Sequence, residues 1–374
     1  MRKEDEKSRG HLSKEKEQGR DGKISRKQSN MELQAREGDL LETSEGLIFD
    51  VKGFIHPQDR IIAFIRYYPD TSGDRIREGI RYKKIYALDK RYAFLKEKYP
   101  HYLFRDAVSG ELLQGVPKEN IRKIYRPADF LRDLLKKDEV EDLKLKSQTL
   151  HKALELIKLI HKQSNIDLNK MGITGSCLVN LETEQSDIDL IVFGSKNAYL
   201  VRQALITLHN EFPEIIKPYS EKTIGDLFTF RGQESNITFQ EFIKIEQRKK
   251  LQGIFKGVDY YIRCIKEWNE ISNEFVQYKP IKISTIRAII IDDSEAIFTP
   301  CRYLIDNVKI ISGEILGEPI REIVSYRGRF CEQAWNGEKV EVCGKIEQVI
   351  SRSETYFRLL LGANEGDYFR VLSI

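Results

Sequence analysis

The sequence has few of the residues that build disulfide frameworks and structural zinc sites. It holds five cysteines and six histidines among 374 residues, with no Cys-x-x-Cys pair and no histidine cluster. Scattered cysteines fit a reducing compartment, so we expect a cytoplasmic protein without disulfides or zinc. Cys177, which directly follows a serine, is expected to be a buried packing residue and not a nucleophile.

Long apolar runs are also missing. No stretch approaches the ~20 apolar residues that a membrane-spanning helix needs, and the N-terminal residues lack the apolar core of a signal peptide. We therefore expect no membrane partner. The charges nearly balance, because 62 Lys and Arg against 58 Asp and Glu leave a formal net charge of +4. This small excess permits a polyanionic partner without requiring one.

Length and composition predict a multidomain α+β protein. A chain of 374 residues is longer than one core usually spans, and a hydrophobic content of 40% supports real cores. Residues 1–36 are highly charged and poor in apolar side chains, so we predict a disordered tail, with Met1 or Met31 as the start. The predicted domains are an N-terminal α+β domain at 37–127, a central domain at 128–279 and a C-terminal β domain at 280–374.

Apolar periodicity assigns the main elements. Strands are predicted at 47–51 and 61–68, and one long helix or a helical pair at 128–164. Further helices are predicted at 91–98, 197–212 and 239–255. The C-terminal domain reads as short strands separated by glycines, typical of a small barrel or sandwich, and an OB-type barrel is one interpretation. Its predicted strands include 295–299, and two strands meet at Gly344.

Basic and aromatic side chains alternate from the end of the second predicted strand onwards. This pattern suits a surface for RNA or DNA, in which guanidinium groups bind phosphates and rings stack on bases. A half-buried sheet with tyrosines inside and cations in water is the alternative interpretation. The residues are Arg66, Tyr67, Tyr68, Arg75, Arg77, Arg81, Tyr82, Lys83, Lys84 and Tyr86.

One stretch carries the strongest chemical signal. A short apolar strand ending at Ile173 leads to Gly175 and Ser176, and Asp187 and Asp189 follow at the start of an apolar run. Residues at i and i+2 of a strand share a face, so the two carboxylates project together. Paired carboxylates on a rigid strand suit Mg²⁺, which also takes ligands from phosphates. A Gly-Ser turn presents backbone N–H groups and a hydroxyl to a phosphate.

This combination resembles the signature of the nucleotidyltransferase superfamily, whose best-known member is DNA polymerase beta. The chain as a whole, over residues 37–374, is similar to the full-length predicted nucleotidyltransferases of archaea. The segments that carry the wider resemblance are Gly46-Leu47-Ile48-Phe49, His56-Pro57, the signature itself and Ser325-Tyr326-Arg327-Gly328-Arg329-Phe330.

The resemblance implies a central mixed sheet with helices and a metal-dependent reaction. A nucleoside monophosphate would pass from an NTP such as ATP to a hydroxyl of RNA, a protein or a small molecule. Two Mg²⁺ ions, or Mn²⁺, would be held by Asp187, Asp189 and a third carboxylate from a later strand. Asp259 opens such a strand and is our choice, while Asp226 and the Asp292-Asp293 pair are alternatives.

The resemblance also suggests nucleotide ligands. Gly175 would let the backbone approach the phosphates and Ser176 would donate to one of them. Lys256, Arg263 or Arg248 would neutralise the leaving pyrophosphate, although each also fits a solvated surface charge. The competing function is a non-catalytic nucleic-acid-binding protein that keeps the fold, with binding carried by the N-terminal Arg/Tyr surface and the C-terminal β domain.

Overall fold

The computed structural model describes residues 33–139, 147–231, 237–272, 274, 276–313, 318–364 and 366–373. Ala35–Ile374 form a compact unit that holds every element named below. Residues 1–32 of the predicted disordered tail at 1–36 lie outside the described part of the chain. The α+β class is confirmed, because the described residues form three sheets and seven α-helices.

The first sheet lies between residues 40 and 125. Its order is β4-β5-β3-β2-β1-β8, and β7 pairs with both β3 and β6. Helix α1 packs against β3 and covers the apolar core of this sheet. The bounds are β1 Leu40–Thr43, β2 Ile48–Val51, β3 Arg60–Pro69, β4 Arg75–Arg77, β5 Ile80–Lys84, α1 Leu88–Lys98, β6 Leu103–Arg105, β7 Leu112–Pro117 and β8 Ile121–Tyr125.

The second sheet has the order β11-β12-β13-β10-β9, in which only β10 and β13 are parallel. The bounds are α2 Pro127–Glu139, α3 Gln148–Ser164, β9 Met171–Ile173, α4 Gly175–Leu178, β10 Ile188–Phe193, α5 Ser195–Glu211, β11 Ile216–Lys217, α6 Glu221–Arg231, α7 Phe239–Glu246, β12 Gln252–Phe255 and β13 Val258–Ile265. Helices α3 and α5 pack on one face of β10 and form the largest apolar core with it.

In this region the structure decides between two helix interpretations and corrects another helix prediction. The described part of 128–164 holds two helices, α2 and α3, as the second of the two sequence interpretations expects. The prediction of one helix over 239–255 is wrong beyond Glu246. Thr238 and Glu241 form a capping box that starts α7, but Gln252–Phe255 pair with β13 as a strand. Backbone pairing in this hairpin outweighs the helical spacing of the apolar residues.

The third sheet follows the order β14-β15-β16-β18-β17-β19, and β14 also pairs with β17. Each of β14, β15, β16 and β18 therefore has two pairing neighbours and β17 has three, and β16 and β18 are parallel. The bounds are β14 Gln277–Glu295, β15 Cys301–Ser312, β16 Ile320–Ser325, β17 Lys339–Ile350, β18 Thr355–Leu361 and β19 Tyr368–Ser373.

Two strand predictions are wrong in the third sheet. The predicted strand at 295–299 lies mostly in the connection between β14 and β15, because β14 runs on to Glu295. The predicted break at Gly344 is absent, and β17 passes straight through it. Close packing explains the glycine, since a Cβ there would lie 2.6 Å from the carbonyl oxygen of Leu360.

Candidate active site

The two aspartates of the sequence motif lie at the start of the central strand β10. Asp187 directly precedes this strand, and Asp189 is its second residue. Ile188, Leu190 and Val192 point into the core formed with the helices. Because side chains alternate along a strand, Asp187 and Asp189 project from the opposite face.

The parallel neighbour β13 brings a third aspartate to the same face. Ile188 lies in register with Tyr260, and Asp189 with Tyr261. Asp187 and Asp259 each stand one residue before the first of these pairs, so they lie side by side where the two strands begin. Arg263 follows on the same face of β13, opposite Ile191.

The Gly-Ser turn packs directly onto the second aspartate. Gly175 has a φ of +66°, and a Cβ at this position would lie 2.0 Å from Oδ2 of Asp189. Only glycine gives both the conformation and the space. The N–H of Thr174 donates to the carbonyl of Asp189 at 2.9 Å, and the Thr174 hydroxyl donates to the carbonyl of Gly38 at 2.7 Å. The turn is thereby fixed to both the central and the N-terminal sheet.

The residues after Gly175 are buried. Ser176 is only 4% exposed, and Cys177 only 2%. Burial raises the pKa of the Cys177 thiol well above its ordinary value, and Glu182, Asp189 and Asp187 add to this. A thiol that stays protonated is a poor nucleophile, which agrees with the prediction of a packing role for Cys177.

Burial and mutual repulsion raise the pKa values of two carboxylates on this face. Burial, followed by the charge of Asp187, raises the pKa of Asp189 to about 7. Burial and Asp187 also raise the pKa of Asp259. Arg263, Arg66 and Lys84 oppose the shift of Asp189 without cancelling it. A cation near Asp187 would relieve the repulsion among the three carboxylates.

Asp187, Asp189 and Asp259 do not form a compact metal-ligand cluster. In the part of the chain that the structure describes, no group of three or more His, Cys, Asp or Glu side chains is arranged to hold one metal ion. Asp259 therefore lies within electrostatic reach of Asp187 without joining it in a three-residue ligand cluster. Asp187 and Asp189 remain as two carboxylates at the start of one strand, β10. Two carboxylates suit Mg²⁺, which keeps several waters or phosphate oxygens as ligands.

The rival third carboxylates lie elsewhere. Asp226 is an exposed residue of α6. Asp292 accepts the N–H of Ser294 at 2.7 Å, and Asp293 accepts the N–H of Asn336 at 2.9 Å, both at the end of β14. Of the candidates, Asp259 is the one on the face of Asp187 and Asp189.

Arg263 lies on the site face but is held by acids of the N-terminal sheet. Its guanidinium is 2.5 Å from Glu37 and 3.9 Å from Asp50, and Lys52 lies 3.1 and 2.8 Å from the same two carboxylates. Although burial opposes its charge, Glu37 and Asp50 raise the pKa of Arg263. Lys52 and Arg263 in turn overcome the effect of burial and hold the pKa of Asp50 at about 2.

The other two suggested phosphate ligands are engaged away from the aspartates. Lys256 lies in the turn between β12 and β13, where its ammonium is 2.8 Å from Glu155 of α3. Arg248 binds Glu338 at 2.5 Å and the carbonyl of Gln333 at 2.7 Å. The Lys256 contact lies within the central domain, and the Arg248 contacts join this domain to the C-terminal part. Neither places the cation beside Asp187.

The structure adds residues that the motif did not indicate. The charges of Arg66 and Lys84, from the N-terminal sheet, act on Asp189. Gly328, from the C-terminal part, packs on Tyr261, the residue in register with Asp189, and a Cβ there would lie 2.0 Å from the tyrosine hydroxyl. All three sheets therefore border this face. The one available sequence signal was the alternation of basic and aromatic residues after 61–68.

Comparisons with known proteins give a relative without a described activity. A protein of the archaeon Methanocaldococcus jannaschii, described as uncharacterized, is 28% identical over 353 residues, which cover 91% of this chain and 99% of the relative. No model of a known protein family matches the chain. No solved structure matches it either. Among the described residues, no helix has the length and apolarity needed to cross a membrane.

Proposed function

We propose that this protein is a metal-dependent nucleotidyltransferase that moves a nucleoside monophosphate from an NTP to a hydroxyl acceptor. One observation carries the proposal. Asp187, Asp189 and Asp259 project from one face of two adjacent parallel strands, and Gly175 lies directly against Asp189. A carboxylate cluster beside a glycine turn joins a cation-binding group to a phosphate-binding one.

The strand arrangement supports a nucleotidyltransferase-like central domain and a C-terminal barrel. A mixed sheet with β10 and β13 parallel at its centre, and with helices α3 and α5 on the face away from the aspartates, is what a nucleotidyltransferase-like core requires. The C-terminal strands β14, β15, β16, β18 and β17 pair in a ring, with β16 and β18 parallel. We interpret this ring as a small OB-type barrel, a fold that often binds nucleic acid.

The aspartates have different roles in the proposed reaction. Asp187 and Asp189 would hold the metal, which supplies charge stabilisation for the transferring phosphoryl group when it is bound. Asp259 stands beside this pair with a raised pKa, and its carboxylate would take the proton of the acceptor hydroxyl. The backbone at Gly175 lies against Asp189 with no side chain between them, and it would approach the phosphates of a nucleotide bound there.

The first test is nucleotide binding and transfer in the presence of Mg²⁺ or Mn²⁺. Wild-type protein and Asp187→Asn/Asp189→Asn would be titrated with each NTP by calorimetry. Labelled NTP would then be incubated with RNA or with the protein alone. We expect metal-dependent NTP binding in the wild type and at least a tenfold weaker affinity in the double variant, on the order of one lost charge-assisted contact.

The matched control is Asp133→Asn, an exposed aspartate on α2. It should bind NTP like the wild type. Asp259→Asn should keep NTP binding and lose transfer, which separates the proton acceptor from the metal ligands. Equal NTP binding by wild type and the Asp187/Asp189 variant would contradict the proposal. Salt-dependent RNA binding that survives in that variant would then favour the non-catalytic nucleic-acid-binding function.

A further inference from the structure

Three basic residues of the N-terminal part of the chain are linked through the backbone of Ile85. The N–H of Ile85 donates to the carbonyl of Arg66 at 3.0 Å, and Nε of Arg91 donates to the carbonyl of Ile85 at 3.2 Å. Lys84 is the preceding residue and lies opposite Tyr67 in the β3–β5 pairing. Strands β3 and β5 and helix α1 therefore bring Arg66, Lys84 and Arg91 together, and we call these three residues the cation cluster.

The cation cluster has no acidic partner of its own. Among the described residues, the guanidinium of Arg66 and the ammonium of Lys84 form no hydrogen bond or ion pair. Arg91 is only 8% exposed, and Nε to Ile85 is its one side-chain bond to the described part of the chain. The nearby acids Glu37 and Asp50 are already bound by Lys52 and Arg263.

Burial is the main cause of the lowered pKa values in the cation cluster. Burial lowers the pKa of Lys84 to about 8 and that of Arg91 to about 10, and the charge of Arg66 contributes to both shifts. Arg302 behaves in the opposite way, because Glu295 raises its pKa in spite of burial. Asp187 and Asp189 oppose the shift of Lys84, and Asp50 opposes that of Arg91, but among the described residues no carboxylate forms an ion pair with the cation cluster.

The cation cluster borders the carboxylate face. Asp187 and Asp189 both act on the charge of Lys84, and Arg66 and Lys84 both act on Asp189. Tyr67, which Lys84 faces across the strands, packs with Leu178, Val179 and Leu181, directly after the Gly-Ser turn. Arg327 of the C-terminal part lies within electrostatic reach of Arg91. An anion held by this cluster would lie beside the turn and the aspartates.

We propose that Arg66, Lys84 and Arg91 bind the polyphosphate part of the nucleotide, so that the N-terminal sheet forms the phosphate-binding wall of the site. This inference rests on the proposed function for the identity of the nucleotide. A triphosphate is a compact, highly charged anion, and it matches three clustered cations of which one is almost fully buried. An RNA backbone instead needs an extended, exposed cationic track.

The test uses inorganic tripolyphosphate as the probe, with the full chain and without metal. Arg66→Gln/Lys84→Gln is compared with Arg132→Gln/Lys136→Gln, which removes the same charge. Arg132 and Lys136 both lie on the exposed surface of α2. We expect tripolyphosphate to bind the first variant at least about tenfold more weakly than the wild type, and the control to change less than twofold. Circular dichroism and melting confirm that each variant folds.

The outcomes separate this inference from the proposed function. Equal tripolyphosphate affinity in the two double variants would overturn the inference and leave the test with Asp187 and Asp189 unaffected. Loss of tripolyphosphate binding only in Arg66→Gln/Lys84→Gln, with no metal-dependent NTP binding in any protein, would support the phosphate wall while the transferase proposal fails. If Arg66→Gln/Lys84→Gln lost affinity for a single-stranded RNA oligomer but kept its affinity for tripolyphosphate, the inference would be overturned in favour of a nucleic-acid-binding surface.

Discussion

At the scale of single residues, Gly175 has the tightest constraint in the site. We expect Gly175→Ala to lower the free energy of unfolding by roughly 2–4 kcal/mol, because a left-handed alanine is strained and its Cβ overpacks the Asp189 carboxylate. The displaced carboxylate should also weaken Mg²⁺-dependent NTP binding. Urea unfolding and calorimetry measure the two effects.

Gly225→Ala is the matched control for this change. Gly225 lies inside α6 with open space around its Cα, so alanine there should be neutral or stabilising by up to about 1 kcal/mol. Wild-type stability and NTP affinity in Gly175→Ala would show that the turn relaxes easily, and that the close contact with Asp189 is not required.

Local patterns were sufficient to predict that Asp187 and Asp189 share one face beside the Gly175 turn, because this arrangement depends on one turn and one strand. The roles of Arg263 and Lys256 depend on partners far away in the chain. Arg263 bonds to Glu37, 226 residues distant, and Lys256 bonds to Glu155, 101 residues distant. Charge sign alone cannot reveal such partners, so a cation near the motif looked like a phosphate ligand.

At the scale of elements, α5 supports the site strand β13 through a buried histidine. Nε2 of His209 lies 2.7 Å from the hydroxyl of Tyr260, and burial, with Lys250, lowers the pKa of His209 from 6.5 to about 4. The unfolded chain takes up this proton below about pH 6.5, whereas the folded chain does so only near pH 4. His209 therefore stabilises the fold above pH 6.5, and as the pH falls towards 4 we expect this contribution to be lost, roughly 3 kcal/mol at most.

The measurement is the free energy of unfolding against pH for wild type, His209→Gln and His151→Gln. His151 is exposed on α3, so its variant should follow the wild-type profile. His209→Gln should lose less stability than the wild type between pH 6.5 and 4, since glutamine does not titrate. Parallel profiles for all three proteins would mean that the buried histidine does not control the acid sensitivity.

Element types were predictable where the apolar period was long and undisturbed, as in α5 and β3. The assignment failed at Gln252–Phe255 because this strand is defined by its pairing with β13, which helical spacing does not report. It also failed at Glu295, where β14 continues beyond the apparent turn signal of Asp292 and Asp293. In both places a partner strand, and not the local sequence, determines the element.

At the scale of the whole molecule, the site face is bordered by parts far apart in sequence. The central strands supply the aspartates, the N-terminal sheet supplies the cation cluster, and Gly328 packs on Tyr261 from the C-terminal part. The sequence pattern indicated basic and aromatic residues in the N-terminal sheet, but not that Lys84 lies within electrostatic reach of Asp187. That relation arises only when Tyr67 packs on the residues behind the Gly-Ser turn.

This arrangement predicts that residues 35–374 unfold as one cooperative unit. The chain has two tryptophans, and both lie at junctions. The Trp268 ring is 6.1 Å from that of Phe54, in the N-terminal part. Trp335 packs against both the central and the C-terminal cores, and Arg202 of α5 lies 4.4 Å from its ring. In urea, fluorescence and far-UV circular dichroism should give the same midpoint, because each junction is lost together with the cores it joins.

Single-tryptophan variants allow each junction to be followed separately. Trp335→Phe leaves Trp268 as the probe of the N-terminal junction, and Trp268→Phe leaves Trp335 as the probe of the C-terminal one. Coincident midpoints in both variants would show that no sheet detaches before the others. If Trp268 alone changed at lower urea, the N-terminal sheet would separate first. The cation cluster would then be placed beside Asp187 by a weak junction, and NTP binding should fall in the same urea range.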